Sequence, residues 1–194
     1  MRAGWEVASL ARAFLDGGAR LIQLRAKHLS SAAFLDHAER LVHAAGAYGA
    51  DVIVNDRVDV ALLASAAGAH VGQEDLPPAA ARRLLGPNSV IGYSTHTRAQ
   101  VEAAVHEPVT YIAIGPVFGT ATKATGYDPV GLDRVKEAAR IASDRPVVAI
   151  GGITLETAPH VIAAGASSVA VIGDLLAHGD PAARVAAFCR VLSL

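Results

Sequence analysis

The segment Gln23-Leu-Arg-Ala-Lys27 combines an amide with two cations at a spacing that suits anion binding. In an extended strand the alternating residues Gln23, Arg25 and Lys27 share one face. Two cations that point into a barrel mouth are costly unless an anion meets them. The segment therefore predicts an anion site where this strand ends. Two solvated surface charges are the alternative.

Carboxylates follow the next two predicted strands. Asn55 and Asp56 end one strand, and Asp75 closes the segment His70-Val-Gly-Gln-Glu-Asp75. The carboxyl ends of neighbouring parallel strands lie on one rim, where two carboxylates can hold Mg²⁺ and leave positions for water and phosphate oxygens. Each Asp could instead cap the helix that follows it. His70 is interpreted as a buried structural or substrate-facing side chain.

Hydroxyl groups follow the next two strands. Ser94 and Thr95 could donate to an oxyanion or cap a helix, and the Gly-x-Ser-x-Gly elbow of a hydrolase is missing. The stretch Gly115–Asp128 contains Thr120, Thr122 and Lys123 and is long enough to fold over a ligand. Threonine hydroxyls with one lysine favour a cradle for phosphate or diphosphate.

The last two strands end in Gly151-Gly152 and in Ile172-Gly173. Loops at these positions form the recurrent phosphate site of parallel barrels, built from backbone N–H groups and a helix N-terminus. Glycine lets the backbone approach a phosphate closely, and tight turns are the alternative explanation for each glycine alone. The joint occurrence of these glycines favours phosphate binding.

Short β-branched runs alternate with Ala-rich amphipathic stretches, which is typical of βα units and a parallel sheet. The predicted strands are Leu21–Leu24, Val52–Val54, Ala69–Val71, Val90–Tyr93, Tyr111–Ile114, Val147–Ile150 and Ser168–Ile172. The predicted helices are Val7–Asp16, Ser31–Tyr48, Arg57–Ala67, Pro78–Leu85, Arg98–Val105, Leu132–Ser143, Leu155–Ala164 and Pro181–Leu192. Glycines at 17, 18, 68 and 165 are expected to end helices in the left-handed conformation.

This pattern predicts a (β/α)8 TIM-type barrel that lacks its first β-strand, with seven strands countable and residues 1–194 in a single domain. A doubly wound open sheet is the competing architecture. It would place a Gly-rich phosphate loop after the first strand, but Arg25-Ala-Lys-His28 stands there.

Composition narrows the function classes. The chain has 194 residues, 52% of them hydrophobic and 5% aromatic, with a formal net charge of −1. This balance implies no electrostatic attraction to nucleic acid or a membrane surface. The single Cys189 excludes an internal disulfide and fits a reducing cytoplasm, where we expect the protein to act. Apolar outer helix faces could support a homo-oligomer.

Seven of these motifs, in this order along the chain, resemble the thiamine phosphate synthase (thiamine-phosphate pyrophosphorylase) family. The motifs are Gln23-Leu-Arg-Ala-Lys27, Val54-Asn-Asp-Arg57, His70-Val-Gly-Gln-Glu-Asp75, Gly92-Tyr-Ser-Thr-His96, Gly115-Pro-Val-Phe-Gly-Thr-Ala-Thr-Lys123, Ala149-Ile-Gly-Gly152 and Val169-Ala-Val-Ile172. The resemblance implies a transferase of thiamine biosynthesis. In its reaction, hydroxymethylpyrimidine diphosphate loses diphosphate, and a thiazole phosphate nitrogen attacks the resulting methylene cation.

The resemblance also implies a role for each candidate. It implies that Mg²⁺ is bound by Asp56 and Asp75. It implies that the diphosphate is stabilised by Arg25, Lys27, Ser94 and Lys123, and that the pyrimidine is oriented by Gln23 and Asn55. The thiazole phosphate would be bound by Thr120, Thr122, Gly152, Ile172 and Gly173.

The chain departs from the family pattern at the missing first strand, at Ala26 where glutamate is common, and at Gly173 where serine is common. Two other functions are consistent with the sequence. A paralogous thiazole tautomerase would use His96 as its acid or base, but Asp75 and the Thr120–Lys123 loop favour the synthase. A non-catalytic phosphate-binding relic is the other, suggested by the incomplete barrel.

Overall fold

The computed structural model describes residues 4–119 and 128–192, which form eight α-helices, seven strands and one short 3-10 helix. The strands are β1 (Leu21–Leu24), β2 (Asp51–Asn55), β3 (Gly68–Val71), β4 (Val90–Thr95), β5 (Tyr111–Ile114), β6 (Val147–Ile150) and β7 (Ser168–Ala170). The helices are α1 (Val7–Asp16), α2 (Ser31–Gly46), α3 (Val58–Leu63), α4 (Pro78–Leu85), α5 (Arg98–Ala104), α6 (Gly131–Ala142), α7 (Ala158–Ala163) and α8 (Pro181–Val191), and the 3-10 helix is Asp174–Leu176.

All six pairings within the sheet are parallel, and the strands lie in the order of the chain from β1 to β7. The sheet is strongly curled. Gln23 of β1 lies close enough to Tyr111 of β5 to influence the pKa of its phenol, although these strands would lie about 19 Å apart in a flat sheet at about 4.8 Å per strand. The predicted barrel lacking one strand is therefore confirmed, as an open seven-stranded form.

The convex face of the sheet carries the hydrophobic core. Alternate residues such as Leu24, Val54, Val71 and Ile112 point towards the helices and are buried. Small and β-branched side chains dominate this layer, because a parallel sheet covered by Ala-rich helices leaves little space between the two.

The opposite, concave face follows from the pairing register. Asn55 is paired with His70, His70 with Gly92, and Gly92 with Tyr111, so their side-chain positions form one row across four strands. Gln23 of β1 pairs with Ile53 on the same face. Because β1 ends at Leu24, Arg25 and Lys27 lie beyond the strand, and the expected strand alternation through these two residues was wrong. The concave face is thus mainly polar in its centre.

Some element boundaries differ from the prediction. Helices α3 and α7 have six residues each and are shorter than expected, and β7 ends at Ala170. Gly18 and Gly165 have φ of 104° and 102°, as expected for helix ends. The expectation was wrong for Gly17, which follows α1 with φ of −71°. The expectation for Gly68 was wrong: it lies inside β3, and a Cβ there would come within 1.7 Å of the Val90 carbonyl oxygen. Close strand packing is what requires this glycine.

No helix among the described residues is long and apolar enough to cross a lipid bilayer.

Candidate active site

The curl of the sheet brings three predicted substrate-binding residues onto the concave face. Gln23 lies exposed on β1, Asn55 is 8% exposed at the end of β2, and Ser94 lies half-buried near the end of β4. The pairing register between the strands places all three side chains on the same face of the sheet. The arrangement gives an amide-rich surface at the carboxyl end of the sheet, where ligands bind in parallel α/β folds.

A hydrogen-bonded group of side chains lies between these residues. The His70 imidazole contacts the Tyr111 hydroxyl through Nδ1 at 2.9 Å and Ser94 Oγ through Nε2 at 2.8 Å. The His70 and Tyr111 rings are stacked, with centroids 5.6 Å apart. His70 was interpreted as structural or substrate-facing, and Tyr111 was missed. The signal for Tyr111 was its alternation with Ala113 in β5, opposite a glycine in β4.

Gly92 makes room for this group. A Cβ at this position would lie 2.1 Å from Tyr111 Cζ and 2.4 Å from His70 Nδ1. Burial raises the pKa of the Tyr111 phenol well above its usual value, and a hydrogen bond from Gln23 opposes this rise. Tyr111 therefore stays protonated and acts as a hydroxyl.

The rim beside β1 and β2 holds a cation and a carboxylate in contact. Lys27 Nζ lies 3.3 Å from Asp56 Oδ2, and their side chains are 51% and 24% exposed. Asp56 adopts φ of 64°, uncommon for a non-glycine residue, and its N–H donates to the His70 carbonyl. The helix-cap alternative for Asp56 was wrong, because α3 begins at Val58 and Arg57 precedes it. Arg25 is exposed on the same rim.

Asp75 belongs to the turn after β3. Its Oδ2 accepts a hydrogen bond of 2.7 Å from the Gly72 N–H. The helix-cap alternative for Asp75 was also wrong, because α4 begins at Pro78 with Pro77 before it. The neighbouring Gln73 donates to the Ser94 carbonyl at 2.7 Å, which ties this turn to β4.

Asp56 and Asp75 are the two residues predicted to hold a divalent cation at this rim. Within residues 4–119 and 128–192, no cluster of three or more His, Cys, Asp or Glu side chains could hold a metal ion. Mg²⁺ commonly takes one or two protein carboxylates, keeps several waters and accepts further oxygens from substrate phosphates. Both carboxylates are half-buried and cap no helix, and their metal-binding role stays a prediction.

Ser94 and Thr95 differ in role. Neither caps α5, because Thr97 does so in a reciprocal capping box with Gln100. The Thr95 hydroxyl is buried and donates to the Ala113 carbonyl at 2.8 Å, so it is committed to holding β4 against β5. Ser94 remains the hydroxyl of this pair that can serve a ligand.

His96 supports the loop after β5. Its Nδ1 lies 2.5 Å from the Gly115 carbonyl oxygen. A carbonyl can only accept, so Nδ1 carries the proton in this contact. His96 thus fastens the end of β4 to the start of the following loop.

Thr120, Thr122 and Lys123 lie outside the described residues, but both flanks of their loop are held at the mouth of the sheet. On one side Val117 donates to the Ile150 carbonyl and Phe118 to the Gly151 carbonyl. On the other side Val130 donates to the Pro116 carbonyl. The residues before this stretch therefore lie beside the end of β6, and Val130 after it lies beside Pro116.

The glycines after β6 serve this loop contact. Gly151 and Gly152 have φ of 100° and 64°. A Cβ on Gly151 would lie 2.5 Å from Pro116 Cβ, and one on Gly152 would lie 2.5 Å from the Gly119 carbonyl oxygen. Packing of one loop against another is thus sufficient to require both glycines. Their predicted role in phosphate binding stays a prediction.

Hydrogen bonds to Asp174 hold the segment that follows β7. Gly173 precedes the 3-10 helix, and Ile172 is 43% exposed at the mouth. Asp174 accepts from the Leu155 N–H at 3.2 Å and from Arg184 Nε at 2.9 Å. These bonds join the loops after β6 and β7 to α8, so the backbone at Ile172 and Gly173 is held in place.

Two surface cavities lie elsewhere. One of about 420 Å³ lies near Thr110 and Arg145, at the amino-terminal side of β5 and β6, and a second of about 330 Å³ lies between α1 and Ala182. Neither is lined by any predicted site residue. The candidate site is an open polar surface at the mouth of the sheet.

Comparison with known proteins gives a consistent result. The sequence model of the family described as thiamine monophosphate synthase matches residues 2–175. A thiamine-phosphate synthase of Roseiflexus castenholzii is 43% identical over 182 residues, covering 94% of this chain and 79% of the relative. A Synechococcus thiamine-phosphate synthase is 49% identical over 170 residues, and this chain covers 48% of its length.

The fold is shared with a solved structure. A thiamine phosphate pyrophosphorylase from Pyrococcus furiosus superposes with a TM-score of 0.90 at 30% identity, covering 99% of this chain and 91% of the other.

Proposed function

The chain belongs to the thiamine monophosphate synthase family, and we propose that it joins hydroxymethylpyrimidine diphosphate to thiazole phosphate with release of diphosphate. The observation that carries this proposal is the common placement of Gln23, Asn55 and Ser94 on one concave face, beside the Lys27–Asp56 pair. An enzyme that binds an aromatic diphosphate needs amides, cations and carboxylates that converge in this way.

The diphosphate end of the first substrate lies at the rim of β1 to β5. Arg25, Lys27 and Lys123 supply positive charge, and the Ser94 hydroxyl supplies a neutral donor. Gln23 and Asn55 orient the pyrimidine through their amide groups, which can donate and accept at once. Fixed donors of this kind stabilise charge as it develops on the leaving group.

Asp56 and Asp75 would hold Mg²⁺ on the diphosphate, where the ion would act as a Lewis acid and as a template for the phosphate oxygens. Asp56 is already paired with Lys27, and a second cation beside the pair would be repelled by the lysine. Mg²⁺ would therefore join this rim together with the diphosphate, whose negative charge offsets both cations.

The second substrate binds on the other side of the mouth. Thr120 and Thr122 supply hydroxyl donors for its monophosphate, and Gly152, Ile172 and Gly173 supply backbone N–H groups. Contacts of the preceding residues support this assignment, because Phe118 donates to the Gly151 carbonyl and the Gly119 carbonyl lies against Gly152.

The chemical step needs no general base. The bond between the methylene carbon and the diphosphate oxygen breaks, and its electron pair stays with the diphosphate. The thiazole nitrogen then donates its lone pair to the methylene carbon and loses no proton. The residues of the chain orient the two substrates and stabilise charge, which supplies most of the catalysis in such reactions.

The proposal is tested with the purified chain, both phosphorylated substrates and Mg²⁺, by following thiamine phosphate and released diphosphate. We expect both products in equal amounts, and neither when one substrate or Mg²⁺ is omitted. A folded protein that binds thiazole phosphate but forms no product would favour the phosphate-binding relic instead.

We further propose that the enzyme acts in the cytoplasm, consistent with the free thiol of Cys189.

A further inference from the structure

We propose that Tyr111 and His70 are positioning residues that hold the Ser94 hydroxyl as a hydrogen-bond donor towards the leaving group, through a one-way chain of bonds from Tyr111 to His70 to Ser94. The proposal rests on the proposed function for the identity of the ligand. Its structural part concerns which atom of each side chain carries a proton.

The contacts define a continuous chain across three adjacent strands. Tyr111 Oη lies 2.9 Å from His70 Nδ1, and His70 Nε2 lies 2.8 Å from Ser94 Oγ. His70 is 8% exposed and Tyr111 is 8% exposed, so solvent competes little for these bonds. Gly92 leaves the space in which the two rings meet.

Two proton arrangements satisfy these distances. In one, Tyr111 donates to Nδ1 and His70 donates from Nε2 to Ser94. In the other, Ser94 donates to Nε2 and His70 donates from Nδ1 to Tyr111. A neutral imidazole has one donor and one acceptor nitrogen, so the direction of one bond fixes the direction of the other.

Acid and base strength select the first arrangement. A phenol, with an ordinary pKa of about 10, is a far stronger acid than an aliphatic hydroxyl, and the imidazole nitrogen is the strongest neutral base in the group. Pairing of the strongest donor with the strongest acceptor gives the more favourable bond. The Tyr111 proton therefore belongs on the bond to Nδ1, and His70 carries its own proton on Nε2.

This direction has a consequence for Ser94. Its Oγ accepts the bond from His70 Nε2, so its own proton cannot return to His70 and is free for a ligand oxygen. The opposite arrangement would commit that proton to His70 and present only an oxygen lone pair, which repels a diphosphate. Gln73 fixes the Ser94 backbone by donating to its carbonyl.

The direct test is the tautomer of His70 in the substrate-free protein. With ¹⁵N-labelled histidine, we expect the His70 resonance to show a protonated Nε2 and a bare Nδ1, and Tyr111→Phe to remove this preference. A wild-type spectrum with the proton on Nδ1 overturns the proposal. This readout is independent of turnover, so it distinguishes failure of the proton chain from failure of the proposed function, which an inactive wild-type chain would reveal.

Kinetics with the full chain supply a second test. Tyr111→Phe keeps the ring and removes the donor, and we expect kcat to fall about tenfold with KM for the pyrimidine diphosphate nearly unchanged. Tyr48→Phe, which removes an exposed phenol bonded to Asp16, is the matched control and should leave both values unchanged.

Substitution of His70 completes the set. His70→Gln can place an amide N–H near the position of Nε2, whereas His70→Leu offers no donor. We expect His70→Gln to retain more of kcat than His70→Leu, in variants whose folding is checked by circular dichroism. Equal losses in both variants, or a change confined to KM, would contradict a role in directing Ser94.

Discussion

The two sides of the mouth present their predicted ligand-binding groups in different ways. From β1 to β5, the site consists of side chains that contact one another. His70 and Ser94 do so on the concave face, and Lys27 and Asp56 do so on the rim beyond β1 and β2. Beside β6 and β7 it consists of glycine-rich backbone, held by contacts between loops such as that of Gly152 with Gly119. We infer that substitutions on the first side alter charge, whereas those on the second alter shape.

The largest expected effect separates the two sides through Asp75. Asp75→Asn keeps an oxygen that can accept from Gly72 but removes the charge. We expect turnover to fall at least about 100-fold, because charge stabilisation at the leaving group is lost, while thiazole phosphate binding changes little. Turnover is followed by thiamine phosphate release, and binding by calorimetry with thiazole phosphate alone.

Asp36→Asn is the control for Asp75, since Asp36 forms an exposed ion pair with Arg40 within α2. It should change neither quantity. If Asp75→Asn weakened thiazole phosphate binding as much as turnover, the two sides would not be separate.

The complementary test is Gly152→Ala on the backbone side. Alanine is strained at φ of 64°, and its Cβ would meet the Gly119 carbonyl at 2.5 Å. We expect the KM for thiazole phosphate to rise about tenfold or more, and the free energy of unfolding to fall by about 2–5 kcal/mol from strain and overpacking together. Steady-state kinetics and urea denaturation measure the two effects.

Gly49→Ala separates strain from packing. Gly49 has φ of 60°, but a Cβ there would have no neighbour within 4 Å. It should cost only the strain of about 1–2 kcal/mol and leave kinetics unchanged. Equal stability losses at the two positions would mean that the loop contact contributes nothing.

A smaller effect is expected from removing the exposed charge of Lys27 on the β1–β5 side. Lys27→Met removes a charge while keeping most of the side-chain length, and we expect the KM for the pyrimidine diphosphate to rise about tenfold. The rise should shrink as salt is added, because Lys27 is half exposed and its interaction is screened. Lys136→Met, at an exposed position of α6, is the control and should have no effect.

More could be said of the first side than of the second from the sequence alone, for a physical reason. Polar side chains at the end of a predicted strand or directly after it belong at the carboxyl end of the sheet, which placed Gln23, Asn55 and Ser94 at one edge. The register that sets the three side chains on one face comes from pairing between strands, which the sequence does not show. The curl that brings Tyr111 of β5 to Gln23 of β1 depends on the whole sheet, and no local pattern encodes it. Likewise, Gly152 is recognisable as a turn glycine, but its contact with Gly119 joins two loops that are distant in sequence.

The smallest expected effect concerns the buried end of the side-chain network. Burial holds the pKa of Tyr111 above its usual value of 10.0, so above about pH 10 the unfolded chain releases a proton that the native state retains. Native stability should therefore be intact below pH 10 and fall above it, by at most about 1.4 kcal/mol per pH unit from this group.

Urea denaturation between pH 8 and 11 should show a shallower fall in the free energy of unfolding for Tyr111→Phe than for the wild type. Tyr48→Phe, which removes an exposed phenol, should change the slope less. An unchanged slope in Tyr111→Phe would mean that Tyr111 is not held as a neutral hydroxyl, and the side-chain network would then lack its first donor.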